Sequence, residues 1–472
     1  MNKEIFLLVI IIFFVFAGCT MAPKYKRPET SVPLKWPGGP AYIYMEDAAD
    51  ESTPPASALS WREFIRDERL RKVIETALNN NRDLRIATLN VERARAYYGI
   101  QRAELLPSVN AAGSFYKERI PADLSSTGSV VTAEQYNVNL GITSWEIDFF
   151  GRIRSLKDNA LEQYLATDEA RRGSQIMLIS TTCQVYLALA ADKEALRLVT
   201  STLNTQEVSY KLIKKRYDVG FASELDLRRA QSQVDTARGD VARYTQLVAQ
   251  DENALNLLVG SPVPPELLPS DLKNVTPPQD ISAGLSSEIL LQRPDVLAAE
   301  HQLKAANANI GAARAAFFPR IALTATAGTA SADLSGLFKS GQGAWTFAPQ
   351  IVMPIFDART WHAYDVTKVE KEISVAEYEK TIQTAFREVA DALAERGTIN
   401  DRLAAQQSLV DASAVSYRLS EARYNKGIDS YLSVLDAQRS LYGAEQGLIM
   451  LRLARINSLI TLYKSLGGGK DN

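Results

Sequence analysis

The chain has 472 residues, 46% of them hydrophobic and 23% charged, with a formal net charge of -2. That length suggests two to four domains, that composition excludes a disordered chain, and a charge so near zero points to neither nucleic acid nor an acidic ligand. His301 and His362 are the only histidines, which excludes a multi-histidine metal site within one chain; no metal, cofactor or catalytic group is expected.

The N-terminus, MNKEIFLLVIIIFFVFAGCT, has Lys3 followed by an apolar run from Ile5 to Phe16. That is the length of a signal-peptide core and short of the roughly 20 apolar residues of a membrane-spanning helix. It ends in Phe16-Ala17-Gly18-Cys19, small residues just before a cysteine, which resembles a bacterial lipoprotein cleavage box. Residues 1–18 therefore read as a signal peptide and Cys19 as the lipidated first residue of an extended segment, 19–61. Thr20 follows where an Asp would resemble an inner-membrane retention signal, so the expected destination is the outer membrane. Cys183, in the apolar run MLISTTCQVYLALA, reads as a small buried hydrophobe. No later run of 18 apolar, uncharged residues occurs, so a crossing of the membrane would have to use β-strands.

The rest of the chain is a tandem repeat, 62–260 and 285–466, joined by the Pro-rich linker 261–284 and closed by a tail, 467–472. RDLRIATLNVERARAYYGIQRAELLP (82–107) aligns with PDVLAAEHQLKAANANIGAARAAFFP (294–319). FFGR at 149–152 matches FDAR at 356–359, and RYDVGFASELDLRRAQ from Arg216 matches RYNKGIDSYLSVLDAQ from Arg423. The period of about 210 residues is far longer than that of a solenoid.

Each copy reads as helix (about 62–106; 285–318), β-hairpin (about 108–148; 320–355), very long helix, tip and returning helix. In QYNVNLGIT, Tyr136, Val138, Leu140 and Ile142 alternate with polar or small residues. Ile321, Leu323, Ala325 and Ala327 do the same in copy two, and aromatics cluster near the strand ends. This is the period-two pattern of transmembrane strands, each of about 9–11 residues. Four strands cannot close a barrel, so other copies must complete it; three chains suit a transport lumen better than two. Arg152–Asp218 and Thr360–Lys426 hold no proline and one glycine each, so each can form a helix of ~100 Å, as in coiled coils or helical tubes. Heptad-like spacing shows in Ile176, Ile179, Cys183, Tyr186 and Ala190, and in Leu196, Leu203 and Val208. At the tips (about 217–224 and 424–431), Gly220 and Gly427 supply a left-handed helix end, and Ser223 and Ser430 stand at the N-cap of the next helix.

The lipobox, the duplicated unit, the SWEIDFFGRIR and PIFDAR junctions, the RY..G..S.L tips and LDAQRSLYGAE together resemble the outer membrane factor family. These are the TolC-like channels, with a lipidated drug-efflux subfamily. The resemblance implies an α+β membrane protein: a trimeric twelve-stranded transmembrane β-barrel, four strands per chain, continued by a long α-helical periplasmic barrel of coiled-coil hairpins. It implies a passive exit duct for drugs, with no enzymatic activity. The implied partners are a periplasmic adaptor and an inner-membrane resistance-nodulation-division transporter. Carried over residue by residue, Asp226 and Tyr424 would link neighbouring hairpins. Leu432, Asp436 and Arg439, spaced on one helix face, would line a periplasmic gate. Gly220, Phe221, Ala222, Ser223, Gly427, Ile428, Asp429 and Ser430 would be adaptor contacts. Two alternatives stay open: a coiled-coil envelope lipoprotein without a pore, and an export duct for secreted proteins.

Overall fold

A computed structural model describes residues 20–42, 59–282 and 286–468. The signal segment 1–18, the lipidation candidate Cys19, residues 43–58, 283–285 and residues 469–472 of the tail lie outside the described residues.

The first helical stretch is cut into α1 (Trp61–Phe64), α2 (Glu68–Asn80) and α3 (Arg82–Ala103). The cuts follow from capping: Asp67 accepts the Leu70 amide and Asn81 the Leu84 amide, each starting a new helix. Strands β1 (Val109–Ile120) and β2 (Val131–Ile147) lead into α4 (Arg152–Asp218) and α5 (Glu224–Val259). The second copy contributes α6 (Pro294–Ala315), β3 (Arg320–Ser331), β4 (Gly343–Val352), α7 (Ala358–Asn425) and α8 (Tyr431–Ser465). The linker is not slack chain. It forms 3-10 turns at Pro265–Leu267 and Leu272–Asn274 and buries Leu272, Val275 and Ile281.

The chain divides into two compact units, and neither coincides with a repeat. Unit 1 comprises Met1–Glu29, Asn90–Asp168 and Ala298–Tyr378; unit 2 comprises Thr30–Leu89, Glu169–Leu297 and Glu379–Asn472. Each draws segments from both copies, so the duplicated halves are interleaved.

Unit 1 holds one antiparallel sheet in the order β1-β2-β3-β4. Its register explains the alternating sequence. Val109, Ala111, Gly113 and Phe115 face Ile142, Leu140, Val138 and Tyr136. Leu140 and Ile142 in turn face Ala327 and Ala325, which face Trp345 and Phe347. Directly opposed residues share a face, so the apolar rows of all four strands fall on one side. The other side carries Asn110, Asn137, Asn139, Thr326 and Thr346. A register shift between Ile142 and Trp145 changes the parity of β2 and sets Trp145 opposite Leu323, on the apolar side. In a single chain these apolar side chains are bare: Leu140 is 58% and Trp345 78% exposed.

The segment after Cys19 is fastened to unit 1. Thr20 Oγ1 lies 3.2 Å from Ser155 Oγ, and Asn307 Nδ2 donates to the Pro23 carbonyl at 2.8 Å. Arg27 grips the buried Glu300 with two hydrogen bonds, at 3.1 and 2.7 Å, and the Tyr25 hydroxyl adds a third at 3.2 Å. Burial opposes ionisation of Glu300, but hydrogen bonds from Arg27 and Lys304 outweigh it and hold the carboxyl below its ordinary range. Gly311 is a point of close approach: a Cβ there would sit 2.6 Å from the Ala22 amide nitrogen.

Unit 2 buries Tyr186, Leu189, Leu255, Ile281, Leu290 and Leu462. Phe64 stacks on Tyr463 with ring centroids 4.1 Å apart. One window of α4 is apolar enough to cross a membrane by composition, but Ile179, Cys183, Tyr186, Leu189 and Ala190 within the helix are at most 4% exposed, as in a packed core helix. The heptad-like expectation holds from Ile179 through Ala190, with Ile176 half-buried before it, and then departs. The buried stripe continues through Ala195, Val199, Gln206 and Ile213, whereas Val208 is 67% exposed. A strict seven-residue repeat drifts around a straight helix, so positions expected on the seam rotate off it. Asp192 on α4 and Asp251 on α5 are half-buried neighbours; burial first, and then the Asp192 carboxylate, push Asp251 up to about 6.

Two outcomes are expected. Leu140→Arg, on the apolar face, destabilises membrane insertion by ~2–4 kcal/mol, whereas Asn139→Arg on the opposite face leaves it near wild type. The yield of folded, membrane-extracted protein measures both. For Asp251, the folded value lies above the unfolded one, so in the window between them the native state binds more protons and stability rises as pH falls from about 6 towards about 4. Asp251→Asn therefore raises the melting temperature at neutral pH and flattens the profile across that window.

Candidate functional site

The two helical tips lie together at one end of unit 2. Both are built by the same backbone device. Gly220 has φ 81° and Gly427 φ 70°. At the first tip the Gly220 amide bonds the Tyr217 carbonyl and the Phe221 amide the Arg216 carbonyl, at 2.9 and 2.7 Å. At the second, Gly427 bonds Tyr424 and Ile428 bonds Arg423, at 2.9 and 3.0 Å. These paired bonds are Schellman closures of α4 and α7, and a left-handed residue is required at each glycine.

A small core joins the two hairpins. Ile213, Leu227, Ala230, Tyr431, Val434 and Leu435 are buried together, with Tyr210, Ala222, Tyr417 and Tyr424 packed against them. The Tyr431 hydroxyl is buried and has no hydrogen-bond partner among the described residues. Burial first, and then the neighbouring Tyr424, Tyr417 and Asp226, push its pKa up to about 12. With Tyr431, Val434, Leu435 and Gln438 turned inwards, the other side of α8 is left bare. There stand Leu432, 37% exposed, and the exposed Asp436 and Arg439. Asp436 and Arg439 form an ion pair with each other at 2.5 Å. The spacing therefore does set all three residues on one solvent-facing side.

The expected Asp226–Tyr424 link does not form within the chain. Asp226 instead accepts the Ser223 hydroxyl at 2.7 Å, while its own amide donates to Ser223 Oγ at 3.1 Å. The Tyr424 ring lies under the Arg216 guanidinium, 5.1 Å from its centroid, and 5.4 Å from the Tyr431 ring. The two N-caps also differ. Ser223 caps α5 with its side chain, whereas Ser430 takes the same backbone conformation without a side-chain cap bond. Copy two has Ser433 where copy one has Asp226, so the reciprocal partner is missing. Asp429, one of the expected adaptor-contact residues, is clamped by Arg423 with bonds of 2.5 and 3.0 Å. That hydrogen bond holds the Asp429 carboxyl below its ordinary range. Sequence spacing does not reveal this clamp, because residues six apart meet only once Gly427 has reversed the chain. Phe221 and Ile428 are 86% and 59% exposed at the apex, whereas Ala222 is drawn into the core.

A four-stranded sheet with an apolar band on one face, open at both edges, followed by helices of 67 and 68 residues, defines the class: an outer-membrane channel with a helical conduit. The chain belongs to the outer membrane efflux protein family, whose model matches residues 73–261 and 285–468. It is 48% identical to the toluene efflux pump outer membrane protein TtgC of Pseudomonas putida, over 97% of this chain and 94% of that one. A crystal structure of a membrane protein from Pseudomonas aeruginosa superposes with TM-score 0.89 at 42% identity, covering 96% of this chain and 98% of the other. The open-state MtrE outer membrane channel of Neisseria gonorrhoeae gives TM-score 0.84 at 38% identity, covering 95% and 98%. The protein is thus an efflux channel of the outer membrane and not an enzyme. Its fold class is the trimeric twelve-stranded β-barrel continued by α-helical hairpins, with four strands from each chain. Channels of this family are homotrimeric components of tripartite efflux pumps.

The cap asymmetry has a measurable consequence. Ser223→Ala costs the first tip about 1 kcal/mol, and Ser430→Ala costs the second much less. Hydrogen exchange of the first-turn amides of α5 and α8 measures the difference.

Proposed function

We propose that the protein is the lipid-anchored exit duct of a tripartite pump, gated at its second helical tip. The observation that carries the gate assignment is the bare face of α8, where Leu432, Asp436 and Arg439 project away from the packed side. Around a three-fold axis, three copies of that face close an apolar ring of Leu432 beside a ring of Asp436–Arg439 pairs. A ring of leucines excludes water and resists hydrated ions; the paired charges below it leave little net field to concentrate cations.

The second hairpin is the moving one in this reading. Its tip lacks the side-chain cap that Ser223 gives the first, so its first turn is held by fewer bonds. Between neighbouring chains, Asp226 and Tyr424 provide the polar link that keeps the gate closed, at the cost of the Ser223–Asp226 bond seen within one chain. The exposed Phe221 and Ile428, with Gly220, Ser223, Gly427 and Ser430 beside them, receive the helical tips of a periplasmic adaptor. A resistance-nodulation-division transporter in the inner membrane supplies the substrates and the energy. Lipidation of Cys19 adds a second hold on the outer membrane, and the bonds from Thr20, Pro23 and Arg27 lead the chain from unit 1 to that residue. Small apolar and aromatic compounds are the expected cargo, as for the toluene pump of the Pseudomonas putida relative.

Single-channel conductance in a planar bilayer tests the gate. Wild type gives small, flickering events; a Leu432→Ala/Asp436→Ala variant gives large, steady ones. Equal and wide conductance in both removes these residues from the gate, and no conductance in either despite confirmed insertion removes the duct.

A further inference from the structure

A cavity of about 490 Å³ opens in unit 2 between the linker, α7 and α8, separate in sequence from the tip residues. That volume lies in the range of sites that take small organic ligands. Its floor is apolar: Pro277, Pro278, Ile399, Leu403, Ile456 and Leu459 line it. Four cations, Lys273, Arg396, Arg452 and Arg455, and a single carboxylate, Asp280, complete the wall. Arg396 already answers Asp280 at 2.5 Å and also donates to the Ile281 carbonyl. The other three cations have room for a further partner. Arg452 reaches Glu194 only at 3.5 Å and the Gln407 side-chain oxygen at 3.4 Å, both longer than a good hydrogen bond. Lys273 and Arg455 are exposed at the rim and make no side-chain ion pair or hydrogen bond among the described residues. In a chain of net charge -2, this is a local excess of positive charge over a greasy floor.

We propose that this cavity binds an amphiphilic anion, its apolar body on the proline and leucine floor and its carboxylate or phosphate head held by Arg452, Arg455 and Lys273. An apolar solute alone would make no use of the three cations, and a small hydrated anion would leave the floor wet; one molecule carrying both parts engages the whole wall. Two sources share this chemistry: an acyl-chain phosphate of membrane origin, and a rigid ring-bodied carboxylate of the kind an efflux system meets in its surroundings.

The experiment is calorimetric titration of the full-length trimer in phosphatidylcholine nanodiscs, with empty nanodiscs as the blank. Dodecyl phosphate and cholate are the two probes. Saturable binding of at least one is expected, weakened by added salt and weakened at least about tenfold in the Arg452→Gln/Arg455→Gln variant. The methyl ester of cholate, which keeps the body and loses the charge, should bind at least about tenfold more weakly than cholate. Dodecyl phosphate alone binding supports the proposal with a membrane source; cholate alone supports it with the ring-bodied source. Unaltered conductance and melting of the variant show that the loss is local. Binding that ignores the two arginines overturns the proposal, as does an electron cryomicroscopy map of the probe-free trimer in which a neighbouring copy or residues 43–58 fill the cavity.

Discussion

The structure depends on one constraint: backbone amides and carbonyls cannot be left unpaired in lipid. The sheet runs β1-β2-β3-β4, so β1 and β4 each keep an open edge in the single chain. Unpaired backbone groups cost several kcal/mol each in hydrocarbon, and dozens of residues cannot sustain that. Only closure against other copies removes the edges. Assembly with other copies is therefore a requirement of the backbone rather than an ornament of the surface. The bare apolar rows, Leu140 and Trp345 among them, then face lipid, while the row of asparagines and threonines faces a wet lumen.

The duplication supplies the two halves of this sheet and the two helical hairpins of each chain, but the copies have not stayed equal. Backbone demands are conserved between them, since both tips need a left-handed glycine and both close with the same pair of bonds. Side-chain roles have diverged. Arg216 lies over Tyr424, whereas its counterpart Arg423 clamps Asp429. Asp226 completes a cap that Ser433 cannot. A symmetric scaffold has become one tip with a side-chain cap and one without.

Burial is distributed to match. Unit 2 carries large fully buried side chains around Tyr186 and Leu255, while the tips are joined by six buried residues only. Regions with few buried apolar contacts open at low free-energy cost. The proposed gate thus sits at the end joined by this small cluster.

Much of this was legible in the chain itself. The alternation in QYNVNLGIT marked a strand with one lipid-compatible face, the absence of proline from Arg152 to Asp218 marked the long helix, and the repeated glycines marked the two turns. These are local matters, decided by side-chain period and backbone freedom. Spacing alone also set Leu432, Asp436 and Arg439 on one face. What the sequence left undecided depends on segments far apart in the chain. Pairing of β2 with β3 across the two copies, the register shift that turns Trp145 to the apolar side, the Arg27 grip on Glu300 and the Arg423–Asp429 clamp appear only after the chain has doubled back. Periodicity says which way a side chain points; only the tertiary structure decides what it meets there.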